Sequence, residues 1–360
     1  MKRILLVTVV FCGVLLSYNA LAPKDKEKVE KPENVIIMIG DGMGLSQISA
    51  AKYANGGTLN LDRFGKIGMI TTHSANNLIT DSGAGATAFA CGIKTNNGYI
   101  GVDAEGNSVK NIFEIAQDKG MKTGVVATSS VSHATPAAFV AHIKDRKNEF
   151  NIAEQITYSN IDLFIGGGSE FFFNRNDDLD LKLALRKSGF KTYSKLKSKP
   201  ERMRGDKIAV LAAKNGMPPA SQREDFLMNA WKTVESNFPL RGLGGYMLMI
   251  EGSQIDWAGH EQDQEYMISE LLDFDKVVGS VLDYAQMSQK TLVIVLADHE
   301  TGGHTITAGD ADGTGMAIEW TTKDHTASMV PVYSYGPGSE LFVGTYDNTD
   351  IFHKLKKLIE

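Results

Sequence analysis

The stretch Val35-Ile36-Ile37-Met38-Ile39-Gly40-Asp41-Gly42-Met43-Gly44 constrains the fold more than any other. Five apolar residues, mostly β-branched, run straight into an aspartate flanked by glycines. An apolar run without polar alternation predicts a strand buried on both faces, as in a parallel sheet. The glycines allow a sharp turn and a close approach to the backbone. An acid at the carboxyl end of such a strand sits where open α/β sheets bind ligands. The pattern returns twice. Tyr246-Met247-Leu248-Met249-Ile250 runs into Glu251, and Thr291-Leu292-Val293-Ile294-Val295-Leu296-Ala297 runs into Asp298-His299. Three strands are therefore predicted to deliver carboxylates to one edge of a sheet.

The 360 residues are 42% hydrophobic, enough for a large core and too apolar for disorder. Lys2-Arg3, the apolar run Ile4–Leu16 and the small residues of Ala20-Leu21-Ala22 read as a signal peptide over 1–22. The apolar run is too short to span a bilayer. The expected location is therefore exported: periplasmic, or alternatively secreted. Its removal takes Lys2 and Arg3 and no acid, leaving 35 basic against 43 acidic residues and a formal charge of −8. That balance excludes nucleic acid as an expected partner. Cys91 becomes the one cysteine, so the mature chain can form no intrachain disulfide. Residues 23–33 (PKDKEKVEKPE) are charged and without periodicity, a solvated linker.

From residue 34 to 360 the text alternates strand-like and helix-like segments, which predicts one α/β domain with a large, mainly parallel central sheet sandwiched by helices. Ser82 opens a run of small residues that ends at Gly92. It reads either as a helix N-cap or as a nucleophile at a helix start, where N–H groups face an anion. His133, Thr135 and Arg146 follow another buried strand, Thr123–Thr128, and arginine offers a planar fork for phosphate. From about 170 to 241 charges are scattered and strands are weak, so this segment is expected to form an inserted helical cap. Asp256 and His260, four apart, share a helical face and supply two ligands of a zinc-type site. Asp298-His299 and Asp324-His325 add further donors. Oxygen and nitrogen donors without thiolate suit zinc, and a carboxylate–hydroxyl set suits magnesium.

Taken together, DGMG at Asp41, TDSGAGATAFACGIKT around Ser82, HATPAAFVAH with Arg146 downstream, EGSQIDWAGH from Glu251, ADHETGG at Asp298 and DHTA at His325 resemble the bacterial alkaline phosphatases. The resemblance implies two zinc ions and one magnesium. One zinc takes Asp256, His260 and His325; the other takes Asp41, Asp298 and His299; magnesium takes Asp41, Thr135 and Glu251. It implies Ser82 as the nucleophile, Arg146 as the phosphate grip, and a homodimer acting on phosphate monoesters at alkaline pH. A phosphodiesterase or other phosphohydrolase on the same metal scaffold is the alternative. Two positions depart from the enterobacterial pattern, which has Asp at His133 and Lys at Trp257. Both face the magnesium and phosphate sites by similarity, so His133 and Trp257 join Arg146 as substrate-binding candidates. Loss of a positive group at Trp257 predicts weaker retention of phosphate. His304 is not a ligand position in this resemblance and reads as a loop residue.

Overall fold

The computed structural model describes residues 29–197, 199, 203–238 and 244–360. The expected signal peptide and the linker up to residue 28 lie outside the described residues. Lys31–Glu360 form one compact unit. Its strands are β1 Asn34–Gly40, β2 Lys66–Thr71, β3 Lys122–Ser130, β4 Leu163–Gly167, β5 Phe190–Tyr193, β6 Lys207–Leu211, β7 Tyr246–Gly252, β8 Thr291–Leu296, β9 Glu300–Thr301, β10 Thr305–Ala308, β11 Ala317–Glu319, β12 His325–Thr326, β13 Val330–Tyr335 and β14 Gly344–Asp347. Its helices are α1 Leu45–Ala54, α2 Ser82–Cys91, α3 Ile112–Asp118, α4 Ala134–Ala137, α5 Glu149–Tyr158, α6 Ser169–Phe173, α7 Leu181–Lys187, α8 Phe226–Asn237, α9 Gln254–Glu261, α10 Gln264–Ser288 and α11 Asp350–Ile359.

Ten strands form one sheet in the order β14-β2-β13-β8-β1-β7-β3-β4-β6-β5. Only β13 runs antiparallel to its neighbours; the other pairings are parallel. The three acid-bearing strands are adjacent at the centre, with β1 between β8 and β7. Every residue of these three strands is buried, the signature of a sheet covered on both faces. Register aligns their ends: Ile39 pairs with both Glu251 and Leu296, which brings Asp41 level with Asp298.

The segment 170–241 differs from expectation. It does not form only a helical cap: β6 pairs with β4, and β5 extends the sheet's edge beyond β6. These strands are four and five residues long; β6 is internal and mostly buried, while the edge strand β5 buries Phe190 and exposes Lys191 and Thr192. Short, half-exposed edge strands carry little apolar signal. Helices α7 and α8 lie in the same segment.

Candidate active site

Helix α2 is buried along its whole length, and its Gly/Ala composition is what makes that possible. A Cβ on Gly85 would meet Asp298 at 3.2 Å, so the helix lies directly against the end of β8. Asp81, not Ser82, is its N-cap: Asp81 Oδ1 accepts from the Ala84 amide at 2.9 Å. Ser82 Oγ is thereby free of capping and lies 3.3 Å from His299 Nε2. Gly92 closes the helix in the left-handed conformation, φ 70°.

Asp41, Glu251, Asp298 and His299 are fully buried, and Asp256 nearly so. The chain turns at Gly42 with φ 72°, and a Cβ there would lie 2.8 Å from the Asp256 backbone. Only glycine lets Asp41 and Asp256 approach this closely. His299 Nε2 lies 3.3 Å from Asp41 Oδ1 and 3.4 Å from Asp298 Oδ2. On the other side, His260 Nε2 and His325 Nε2 each lie 3.3 Å from an Asp256 oxygen, and 3.2 Å from one another. His299 stacks on His325 with ring centroids 3.5 Å apart, which joins the two groups. Thr135 Oγ1 donates to Asp41 Oδ2 at 3.4 Å, and Ser129 Oγ donates to Glu251 Oε2 at 3.1 Å.

These residues fit metal ions. Three sets offer donor atoms within 4.8 Å of one another: Asp41, Asp298 and His299; Asp256, His299 and His325; Asp41, His133 and Glu251. Asp41 Oδ1, Asp298 Oδ2 and Glu251 Oε1 are buried without a hydrogen-bond partner among the described residues. Unpaired buried carboxylates are costly, and a cation removes that cost. Burial first, then repulsion from the neighbouring acids, pushes Asp41 well above the carboxylate range. Burial and Asp298 raise Glu251 to about 7, against hydrogen bonds from Ser253 and Ser129. Burial and Asp256 likewise raise Asp298 to about 7. Asp256 goes the other way: burial raises it, but hydrogen bonds from His260 and His325 outweigh burial and hold it well below its usual range. His260 Nδ1 donates to the Lys323 carbonyl at 2.5 Å and His325 Nδ1 to the Thr80 carbonyl at 2.8 Å, so both Nε2 atoms face inward: each donates to Asp256 without metal and would offer its lone pair once an ion displaces that proton.

Arg146 Nη1 donates to Asp81 Oδ2 at 2.9 Å, while Nη2 faces His133 Nε2 at 3.4 Å. Burial, then the charge of Arg146, lowers His133 to about 3, so its ring is neutral. His133 thus touches both the phosphate grip and the Asp41–Glu251 set. Trp257 lies edge-on to His133 at 6.1 Å and is half-buried; a Cβ on Gly216 would lie 2.4 Å from its ring. His304 is not in these sets; it is buried edge-on to Trp320.

All twelve expected site residues therefore lie in one neighbourhood at the carboxyl edge of the central strands. Asp81 was not singled out from the sequence, although an aspartate before a helix of small residues is a recognisable cap. Thr301, whose hydroxyl donates to Asp256 at 2.5 Å, gave no signal at all.

The alkaline phosphatase family model matches residues 32–219, 240–316 and 312–360. This chain belongs to the alkaline phosphatase family. Among its relatives, alkaline phosphatase 4 of Bacillus subtilis is 33% identical, over 98% of this chain and 94% of the relative. The Escherichia coli alkaline phosphatase is 29% identical, over 91% and 86%. The structure of alkaline phosphatase from the Antarctic bacterium TAB5 superposes with a TM-score of 0.88 at 43% identity, covering 92% of this chain and 99% of that one. A histidine-to-aspartate variant of the TAB5 enzyme has magnesium bound in its M3 site. Among the described residues no helix of this family member is long and apolar enough to cross a membrane.

Proposed function

We propose that the enzyme hydrolyses phosphate monoesters to an alcohol and inorganic phosphate at alkaline pH, through a phosphoserine on Ser82. The observation that carries this reading is the freed Ser82 hydroxyl at the start of α2, beside His299 and within the reach of Arg146's neighbourhood. The N–H groups of the first turn favour phosphoryl oxygens over water. Ser82 Oγ attacks phosphorus as the ester P–O bond breaks, and the hydroxyl proton passes through solvent to the departing oxygen, which leaves as the alcohol. Water then cleaves the Ser82–phosphorus bond and releases phosphate. The guanidinium of Arg146, oriented by Asp81, forms paired hydrogen bonds to the non-bridging oxygens.

We assign one zinc to Asp256, His260 and His325, the other to Asp41, Asp298 and His299, and magnesium to Asp41, Thr135 and Glu251. Magnesium in a histidine-to-aspartate variant of the TAB5 enzyme supports magnesium as one of the ions of this scaffold, and the resemblance carries its assignment to Asp41, Thr135 and Glu251. When bound, a pair of such ions clamps the attacking and leaving oxygens of an in-line displacement. His133 stands beside the third set as a further donor. Trp257 supplies a neutral wall where the enterobacterial pattern has a lysine, so phosphate is released more readily. A Trp257→Lys variant with a phosphate inhibition constant no tighter than wild type would argue against that role. Export of the mature enzyme and its assembly as a homodimer complete the proposal; sedimentation of residues 23–360 tests the dimer.

The activity test is steady-state hydrolysis of p-nitrophenyl phosphate at alkaline pH, with zinc and magnesium and after chelation, beside bis-p-nitrophenyl phosphate. Metal-dependent turnover of the monoester in preference to the diester is expected. Preference for the diester would replace this reading by the phosphodiesterase one.

A further inference from the structure

Thr301 is 1% exposed and lies between the two histidine–carboxylate groups. Its Oγ1 donates to Asp256 Oδ1 at 2.5 Å and stands 3.2 Å from His299 Nδ1. A hydroxyl has one proton, and an ionised carboxylate only accepts. The proton therefore goes to Asp256, and the oxygen presents a lone pair to His299. His299 must then carry its own proton on Nδ1, which turns its Nε2 lone pair toward Ser82, Asp41 and Asp298. His260 and His325 have their tautomers fixed by backbone carbonyls; His299 has Thr301 instead.

The surroundings leave this side chain one place to be. A Cβ on Gly42 would lie 2.7 Å from Thr301 Oγ1, and one on Gly259 2.9 Å from its Cγ2. The Thr301 carbonyl accepts from Gln47 Nε2 at 2.7 Å, and its backbone pairs with His325 between β9 and β12. The glycines of two separate motifs thus make room for one threonine contributed by a third.

We propose that Thr301 is a positioning residue that couples the two metal groups: its single hydroxyl orients Asp256 for one ion and sets the tautomer of His299 for the other. The inference rests on the two-zinc reading above. Loss of the hydroxyl weakens both ions, and each ion favours the other through it. Removing a partner of this kind costs 10–100-fold in metal affinity.

The experiment is a zinc titration of metal-free protein against a chromophoric chelator, for wild type, Thr301→Ser, Thr301→Val and Thr301→Ala. It is joined to ¹⁵N-histidine NMR of the zinc-loaded forms. Wild type and Thr301→Ser should bind two zinc ions tightly and show a protonated, hydrogen-bonded Nδ1 on His299. Thr301→Val and Thr301→Ala should lose roughly 10–100-fold affinity for both ions, and the Nδ1–H signal. Unchanged affinities, a loss confined to one ion, or Thr301→Ser as weak as Thr301→Val would overturn the coupling. Metal-free Val and Ala variants that are unfolded by circular dichroism would assign Thr301 to packing and overturn it too. Wild-type protein that binds no zinc would instead remove the two-zinc reading on which it rests.

Discussion

Glu251→Gln should stabilise the metal-free enzyme and weaken the metal-loaded one. Glu251 is fully buried, one of its oxygens has no partner among the described residues, and burial raises it from 4.5 to about 7. A carboxylate whose folded pKa is raised contributes stability that is present below its unfolded value and lost as pH rises through the folded one. At pH 5 wild-type Glu251 is protonated in the fold and resembles glutamine. At pH 9 it carries its charge without a cation. A rise from 4.5 to about 7 corresponds to roughly 3 kcal/mol. Unfolding entropy of about 2 cal/mol/K per residue over roughly 330 residues converts this to roughly 4–5 °C. The assay is thermal unfolding by circular dichroism after exhaustive chelation. Glu251→Gln should melt roughly 4–5 °C above wild type at pH 9 and close to it at pH 5. With magnesium and zinc restored the order should reverse, because an amide is the poorer ligand. Equal melting temperatures at pH 9 without metal would show that Glu251 is not a destabilising acid that a cation relieves.

Ser82→Ala should reduce turnover by about 10³-fold or more and leave the melting temperature unchanged, because Asp81 and not Ser82 caps α2; a large stability loss would show that the hydroxyl is structural. Asp81→Ala should cost about 1 kcal/mol as a lost cap and, by releasing Arg146, weaken phosphate inhibition about tenfold, or 1.4 kcal/mol; an unchanged inhibition constant would separate Asp81 from the phosphate grip. Arg223 and Glu270 form an ion pair at 2.6 Å whose side chains are 1% and 0% exposed, extended by Asp273. Arg223→Ala strands both acids and should destabilise by about 3–5 kcal/mol, and calorimetry with a melting point within a degree of wild type would contradict this.

The parts of the site that sequence reveals are those in which one element brings its own chemistry. β1, β7 and β8 announce themselves because burial on both faces forces a continuous apolar run, and the acid that ends each run lies where the sheet ends. Asp256 and His260 are legible because one helical turn spaces them. α2 is legible because a helix buried all round against Asp298 can carry little besides Gly and Ala. What the sequence hides depends on contacts between distant segments. Thr301 reaches Asp256 across 45 positions, and nothing in its neighbours implies that meeting. β5 hides because a short, half-exposed edge strand carries little apolar signal, and β6 because its buried run Ile208-Ala209-Val210-Leu211 is only four residues long. Arg223 reads as a surface charge until α10 supplies Glu270. The metal sets were assigned from the resemblance, and the unpartnered oxygens of Asp41, Glu251 and Asp298 add a physical reason for them.

Ser82 should carry phosphate during turnover. Acid quenching of the metal-loaded enzyme during p-nitrophenyl phosphate hydrolysis, followed by peptide mass spectrometry, tests it directly. One phosphate should be found on the peptide containing Ser82, and none in the Ser82→Ala variant. Turnover with no phosphorylated peptide, or with phosphate on another residue, would rule out Ser82 as the nucleophile.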